Sequence, residues 1–142
     1  MTKKICVFGL LILSAVLCMS LSSTTVQAED PPADRVAVMY FHRTQRCPTC
    51  QRMGGFSEEA VTTGFSEEME GKTVTYNSVD FQAAGNARFV SAYKITGPAL
   101  IIAQVQDGKV TKWANLTEIW AKAADKEAFI GYVQTNVRSY ME

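Results

Sequence analysis

Val36-Ala37-Val38-Met39-Tyr40-Phe41, His42-Arg43-Thr44-Gln45-Arg46 and Cys47-Pro48-Thr49-Cys50 follow one another without a gap. The first six residues form a nearly continuous apolar run, the pattern of a central strand covered on both faces. The five from His42 to Arg46 are polar and read as a loop. From Cys47 onward, Met53, Phe56, Ala60, Gly64 and Phe65 recur at helical spacing, so the cysteine pair opens a helix. Gly54 and Gly55 each cost about 1 kcal/mol relative to Ala in such a helix. Their presence predicts a kinked or interrupted element, ended by Gly71.

Downstream, Val74, Tyr76, Val79 and Phe81 read as a second strand, and Ala87, Val90 and Tyr93 as the apolar positions of a short helix over Asn86 to Tyr93. Gly97-Pro98 breaks the chain before Ala99-Leu100-Ile101-Ile102-Ala103, a second buried-strand run. Asp107-Gly108 lies between strand-like flanks and supplies the positive backbone angles of a type I′ hairpin turn. Asn115 and Glu118 have the spacing of a capping box, and Trp113 and Trp120 fall at apolar positions that assign them to the core first. Asp125 opens a terminal helix whose apolar face is Phe129, Val133, Val137 and Tyr140. The order β, α, β, α, β, β, α predicts an α/β domain with a mixed central sheet flanked by helices.

Upstream, Lys3 and Lys4 precede an apolar run from Ile5 to Leu17, and Val26-Gln27-Ala28 has the small-residue pattern of a cleavage site. Residues 1–28 therefore read as a signal peptide, 29–35 as a flexible, proline-bearing leader and 36–142 as the domain. The apolar run is short of the roughly 20 residues that span a bilayer, which favours cleavage over an uncleaved anchor. Leu17 before Cys18 is bulky where lipidation would want a small residue. Export implies a periplasmic or otherwise extracytoplasmic protein in an oxidising compartment.

Removing 1–28 leaves Cys47 and Cys50 as the only cysteines. Whole-chain charge is balanced, with 14 basic and 14 acidic residues, so no global field attracts nucleic acid. The single histidine, His42, excludes any site that needs two.

The chemistry therefore concentrates in Cys47-Pro48-Thr49-Cys50. Residues three apart on a helical turn can close a small disulfide without moving the fold. At the helix start, Cys47 meets unpaired N–H groups and the positive end of the dipole, and Arg46 and Arg52 add cations nearby; all favour thiolate. Pro48 suits the first helical position. Cys47 is then the attacking sulfur and Cys50 the resolving thiol. No G-x-G-x-x-G follows a strand, so neither a flavin nor a nicotinamide cofactor is expected. A second CxxC or paired histidines, the signature of a metal centre, are lacking. The alternative is a module that holds a soft metal or trivalent arsenical on the two thiolates alone; a three-ligand metal or metalloid site of Cys47, Cys50 and His42 is a further reading.

The strand, the CxxC, Val79-Asp80 and Ile95-Thr96-Gly97-Pro98-Ala99-Leu100 fall in an order that resembles the thioredoxin-like superfamily. The resemblance implies a thioredoxin-like fold, a cis proline at Pro98 packed beside the cysteines, and Gly97 presenting backbone to substrate. It also implies a disulfide-bearing or oxidised substrate and a redox partner protein, including a membrane electron donor. Many thioredoxins carry a buried carboxylate on the strand before the CxxC; Val36 to Phe41 has none, leaving His42 or water for proton movement.

Tyr40 to Cys50, with Asn115-Leu116-Thr117-Glu118-Ile119-Trp120 and Asp125-Lys126-Glu127-Ala128-Phe129-Ile130, resembles more closely the ArsF-type subunit family of nitrophenyl compound nitroreductases. That likeness implies electron delivery to the handling of aromatic nitro or arsenical compounds. Without a flavin or nicotinamide site, it implies a thiol electron carrier serving a partner.

Mass spectrometry of the native protein should find a chain starting at Glu29; Lys3 or Cys18 still attached would refute cleavage.

Overall fold

The structure is a computed structural model that describes residues 34–66 and 72–142. The signal peptide expected over 1–28 lies outside the described residues. Four strands form one mixed sheet in the order β2-β1-β3-β4, comprising β1 (Arg35–His42), β2 (Thr73–Asp80), β3 (Ala99–Gln106) and β4 (Lys109–Asn115). β2 runs parallel to β1, with Val38 beside Tyr76 and His42 beside Asp80. β3 runs antiparallel to β1, with Phe41 beside Ala99, and pairs with β4 as a hairpin. Asp107 and Gly108, at φ 49° and 72°, make the turn the sequence predicts, both in the left-handed region.

Side chains alternate across the sheet, so each apolar run feeds two cores. Val36, Val38, Tyr40, Leu100 and Ile102 pack against Met53, Ala60 and Val61 of α1 (Pro48–Gly64) and Phe129, Val133 and Val137 of α4 (Lys126–Arg138). Asp125 caps α4 by accepting the Ala128 N–H at 3.0 Å. On the other face Ala37, Met39, Phe41, Ile101 and Ala103 pack with Tyr93, Ile95, Phe89 and Val90 at and after α2 (Ala87–Ala92).

α2 ends in a Schellman motif. The Ile95 N–H donates to Val90 O at 2.9 Å and the Lys94 N–H to Ser91 O at 3.3 Å, with Lys94 at φ 53° where glycine is usual. The motif directs Thr96, Gly97 and Pro98 into β3.

Three sequence expectations fail. α1 is one unbroken helix of 17 residues that stops at Gly64, with neither a kink at Gly54-Gly55 nor an end at Gly71. Gly54 serves packing: a Cβ there would stand 3.2 Å from Cδ1 and Cε1 of the Tyr40 ring, tight enough that helix and ring would have to shift apart by a few tenths of an ångström. The helix ends at buried Phe65, whose φ of −146° leaves the helical region after its N–H closes the last helical bond, to Val61 O at 2.9 Å. Asn115 is the last residue of β4, and α3 (Ile119–Lys122) starts without any side-chain cap, so the capping box does not form. Neither tryptophan is a core residue: Trp113 is 38% exposed and Trp120 49%.

These packing differences separate two neighbouring glycines. Gly54→Ala should lower stability by about 1–2 kcal/mol, because the overpacking strain exceeds the helix-propensity gain. Gly55→Ala, with nothing within 4 Å of its new Cβ, should raise stability by about 0.5–1 kcal/mol. Urea unfolding of the two variants checks the opposite signs.

Candidate functional site around Cys47 and Cys50

The topology gathers the site at one end of the sheet. β1 ends there at His42, β3 begins there after Pro98 and β4 ends there at Asn115, because β3 is antiparallel to both neighbours. The loop from β1 to α1 is tied to the end of β2. Thr44 Oγ1 donates to Asp80 Oδ2 at 2.7 Å and the Thr44 N–H to Gln82 Oε1 at 3.0 Å. The Thr44 hydroxyl first, and then the Gln82 N–H donating to Asp80 Oδ1 at 2.9 Å, hold the Asp80 carboxyl below its ordinary pKa. Arg46 Nη2 donates to Ser78 Oγ at 2.7 Å and also bonds His42 Nε2.

His42 is the last residue of β1 and is 8% exposed, a strand residue where the sequence suggested a loop. Its Nδ1 lies 2.9 Å from Arg43 O, a carbonyl that can only accept. The proton is therefore on Nδ1, and Nε2 accepts from Arg46. Both nitrogens are engaged by the loop, which removes His42 as a third ligand beside the cysteines. Among the described residues no group of three His, Cys, Asp or Glu side chains could hold a metal ion.

Cys47 is the N-cap of α1, with extended backbone, and Pro48 follows as the first helical residue. Its exposed Sγ accepts the Cys50 N–H at 3.2 Å. The Cys47 thiol is held below its ordinary pKa first by a hydrogen bond from the Cys50 thiol and next by the Cys50 N–H. The cations play a smaller part than expected: Arg46 is committed to His42 and Ser78, and Arg52 reaches across to Thr49 Oγ1 at 3.4 Å. Cys50 lies one turn in, 8% exposed, and its pKa moves the other way, raised chiefly by burial and then by the bond to Cys47. Both cysteines are free thiols.

Beneath the pair, Tyr40 Oη donates to Cys50 O at 2.9 Å, and Tyr76 Oη donates to Gly54 O at 3.0 Å. Burial raises both phenols, Tyr76 to about 12, so they act here as donors that fix successive turns of α1. The position of Tyr40 was not singled out by sequence; the signal was an aromatic hydroxyl in an otherwise apolar strand.

A cavity of about 280 Å³ is bounded by Cys47, Cys50, Pro98, Arg43, Arg46 and Trp120. Pro98 thus lines the same space as the cysteines, but through a trans peptide. No cis bond occurs among the described residues, against the cis proline implied by the resemblance. The trans form is the intrinsically favoured one for X–Pro. Arg52 is not among the residues lining this cavity, whereas Trp120, read from sequence as core, is.

A mixed four-stranded sheet flanked by helices, with a cysteine pair at the start of the helix after the first strand, is a thioredoxin-like fold. The crystal structure of human ERp44 matches it at 20% identity and a TM-score of 0.50, over 72% of this chain and 25% of ERp44. The chain thus spans about a quarter of the length of that protein. A malarial protein of solved structure matches at 15% identity over 68% of this chain and 94% of its own, at a TM-score of 0.38 that carries no argument. No protein-family model matches the sequence, and no curated protein does.

Cys50→Ala, which removes the thiol donor, should raise the Cys47 pKa toward the ordinary cysteine value, Cys50→Ser should raise it less, and Arg46→Ala should move it least. Ultraviolet thiolate absorbance against pH reads all three. In the wild type the thiolate should form at lower pH than in free cysteine, so alkylation reaches its plateau rate while free cysteine is still mostly thiol.

Proposed function

We propose that this protein is a thiol-disulfide oxidoreductase, or dithiol electron carrier, that works through Cys47 and Cys50. One observation carries the reading: an exposed, acid-shifted Cys47 at the helix start accepts a hydrogen bond from a shielded Cys50 whose own thiol is shifted the opposite way. That asymmetry is what sequential disulfide exchange requires.

In the reducing direction the Cys47 thiolate attacks one sulfur of a substrate disulfide. The substrate S–S bond breaks, a mixed disulfide forms and one substrate thiolate leaves. Cys50 then gives up its proton and attacks Cys47 Sγ, which releases the second substrate thiolate and closes the Cys47–Cys50 bond. The protein has lost two electrons and the substrate has gained them; the protons lost from the protein's two thiols balance those taken up by the substrate. A dithiol or membrane electron donor resets the pair by the reverse chemistry.

The hydrogen bonds on the pair are made by backbone and cysteine groups, so no cofactor is needed for the exchange itself. In keeping with the signal-like residues 1–28, we place this activity outside the cytoplasm. Resemblance to the ArsF-type nitrophenyl compound nitroreductase subunit makes a system that reduces nitroaromatic or arsenical compounds the first partner to try.

Cys47→Ser should bring exchange with a test disulfide down to background. Cys50→Ser should keep the attack and accumulate a mixed disulfide, visible by mass spectrometry of acid-trapped protein. Adducts on Cys50 in the Cys47→Ser variant, with none on Cys47 in the other, would reverse the roles.

A further inference from the structure

Trp120 sits at the start of α3, half exposed, and forms a wall of two cavities at once. The first, of about 280 Å³, contains Cys47 and Cys50. The second, also about 280 Å³, continues beyond Pro98 along Lys94, Thr96, Gly97 and Asn115. Pro98 and Trp120 are common to both, so the two cavities adjoin at these residues, one holding the cysteines and the other lying beyond them.

Each cavity is slightly smaller than the roughly 300–1,000 Å³ of a pocket for a drug-sized ligand. Side chains on a strand project at regular intervals, so two adjoining small cavities fit an extended polypeptide better than one compact molecule. The aromatic face of Trp120 offers apolar area with little conformational entropy to lose, the property that makes tryptophan an anchor at interfaces. The fold does not need that face: Ile119 and Leu116 beside it supply the buried contacts, at 1% and 3% exposure. Trp113, by contrast, is edge-on to Tyr93 on the other face of the sheet, its ring centroid 5.4 Å away.

Resting on the thiol-disulfide reading above, we propose that Trp120 sets substrate preference: it receives a large apolar or aromatic side chain next to the cysteine of an extended, disulfide-bearing polypeptide segment. Neither cavity is lined by an acidic side chain, while Arg43, Arg46 and Lys94 line them. Acidic residues elsewhere in that segment would therefore be accepted and basic ones opposed.

The test compares rates of disulfide exchange by the reduced protein with three probes: a short peptide disulfide with Phe beside its cysteine, the same peptide with Ala there, and hydroxyethyl disulfide. Wild type should prefer the Phe peptide over the Ala peptide by about tenfold. Trp120→Ala should erase that preference by slowing the Phe peptide several-fold more than the other two probes; Trp120→Phe should retain most of it, and Trp113→Phe all of it.

Equal slowing of all three probes by Trp120→Ala would reveal a structural role and overturn the proposal. So would a Phe preference that survives in that variant, or no preference in the wild type. If the wild type reacts with none of the probes, hydroxyethyl disulfide included, the thiol-disulfide reading itself fails. Reaction with hydroxyethyl disulfide alone would spare that reading and reject the polypeptide substrate.

Discussion

The close approach of α1 to the Tyr40 ring at Gly54 determines where the cysteines stand. Tyr40 is wholly buried in the central strand, and its hydroxyl must find an acceptor there or cost about 1–3 kcal/mol. It finds the Cys50 carbonyl at 2.9 Å. Gly54, one turn further along, favours that bond because it has no Cβ to press against the ring at 3.2 Å. Tyr76 repeats the device on the next turn by bonding Gly54 O. Two neighbouring strands thus hold the first two turns of α1, and Cys47, as the N-cap, is carried to the end of the sheet where β1 stops.

The electrostatic asymmetry of the pair follows from that placement with little help from full charges. A helix start offers N–H groups without partners, and Cys47 Sγ takes one of them. Cys50, on the first turn and facing the sheet, gives up solvent, so its thiol stays protonated and can donate to the sulfur in front of it. Each sulfur's shift supports the other's. The arginines are engaged elsewhere: Arg52 bonds Thr49 within α1. Arg46 bridges β1 and β2 through His42 and Ser78, and its guanidinium holds the backbone that presents Cys47.

Much of this was legible in the sequence because it rests on periodicity and local chemistry. The apolar run of β1, the Asp107-Gly108 turn, the Asp125 cap and the apolar stripe of α4 each declare themselves within a few residues. The CxxC at a strand-to-helix junction did the same for the site. What misled were residues whose role is set by distant partners. Gly54 reads as a helix breaker until Tyr40, 14 positions earlier, is seen against it. Asn115 and Glu118 have capping-box spacing, but pairing of Asn115 with Ile101 draws it into β4 before the helix begins. Arg46 and Arg52 lie beside the cysteines in the chain, yet distance in sequence does not say which way a guanidinium turns.

Trp120 is the most instructive of these. An aromatic residue at an apolar position is usually buried, since so large a surface costs free energy in water. In this domain α3 has only four residues, and its single buried position is Ile119. Neighbouring residues on a helix project about 100° apart, and in this short turn Ile119 takes the inward direction. Burying Ile119 therefore turns Trp120 outward, and the antiparallel course of β4 delivers that outward side at the end of the sheet where α1 begins. The exposed indole beside the cysteines is a consequence of helix geometry and strand order, both of which become visible only once β4 is seen to end at Asn115.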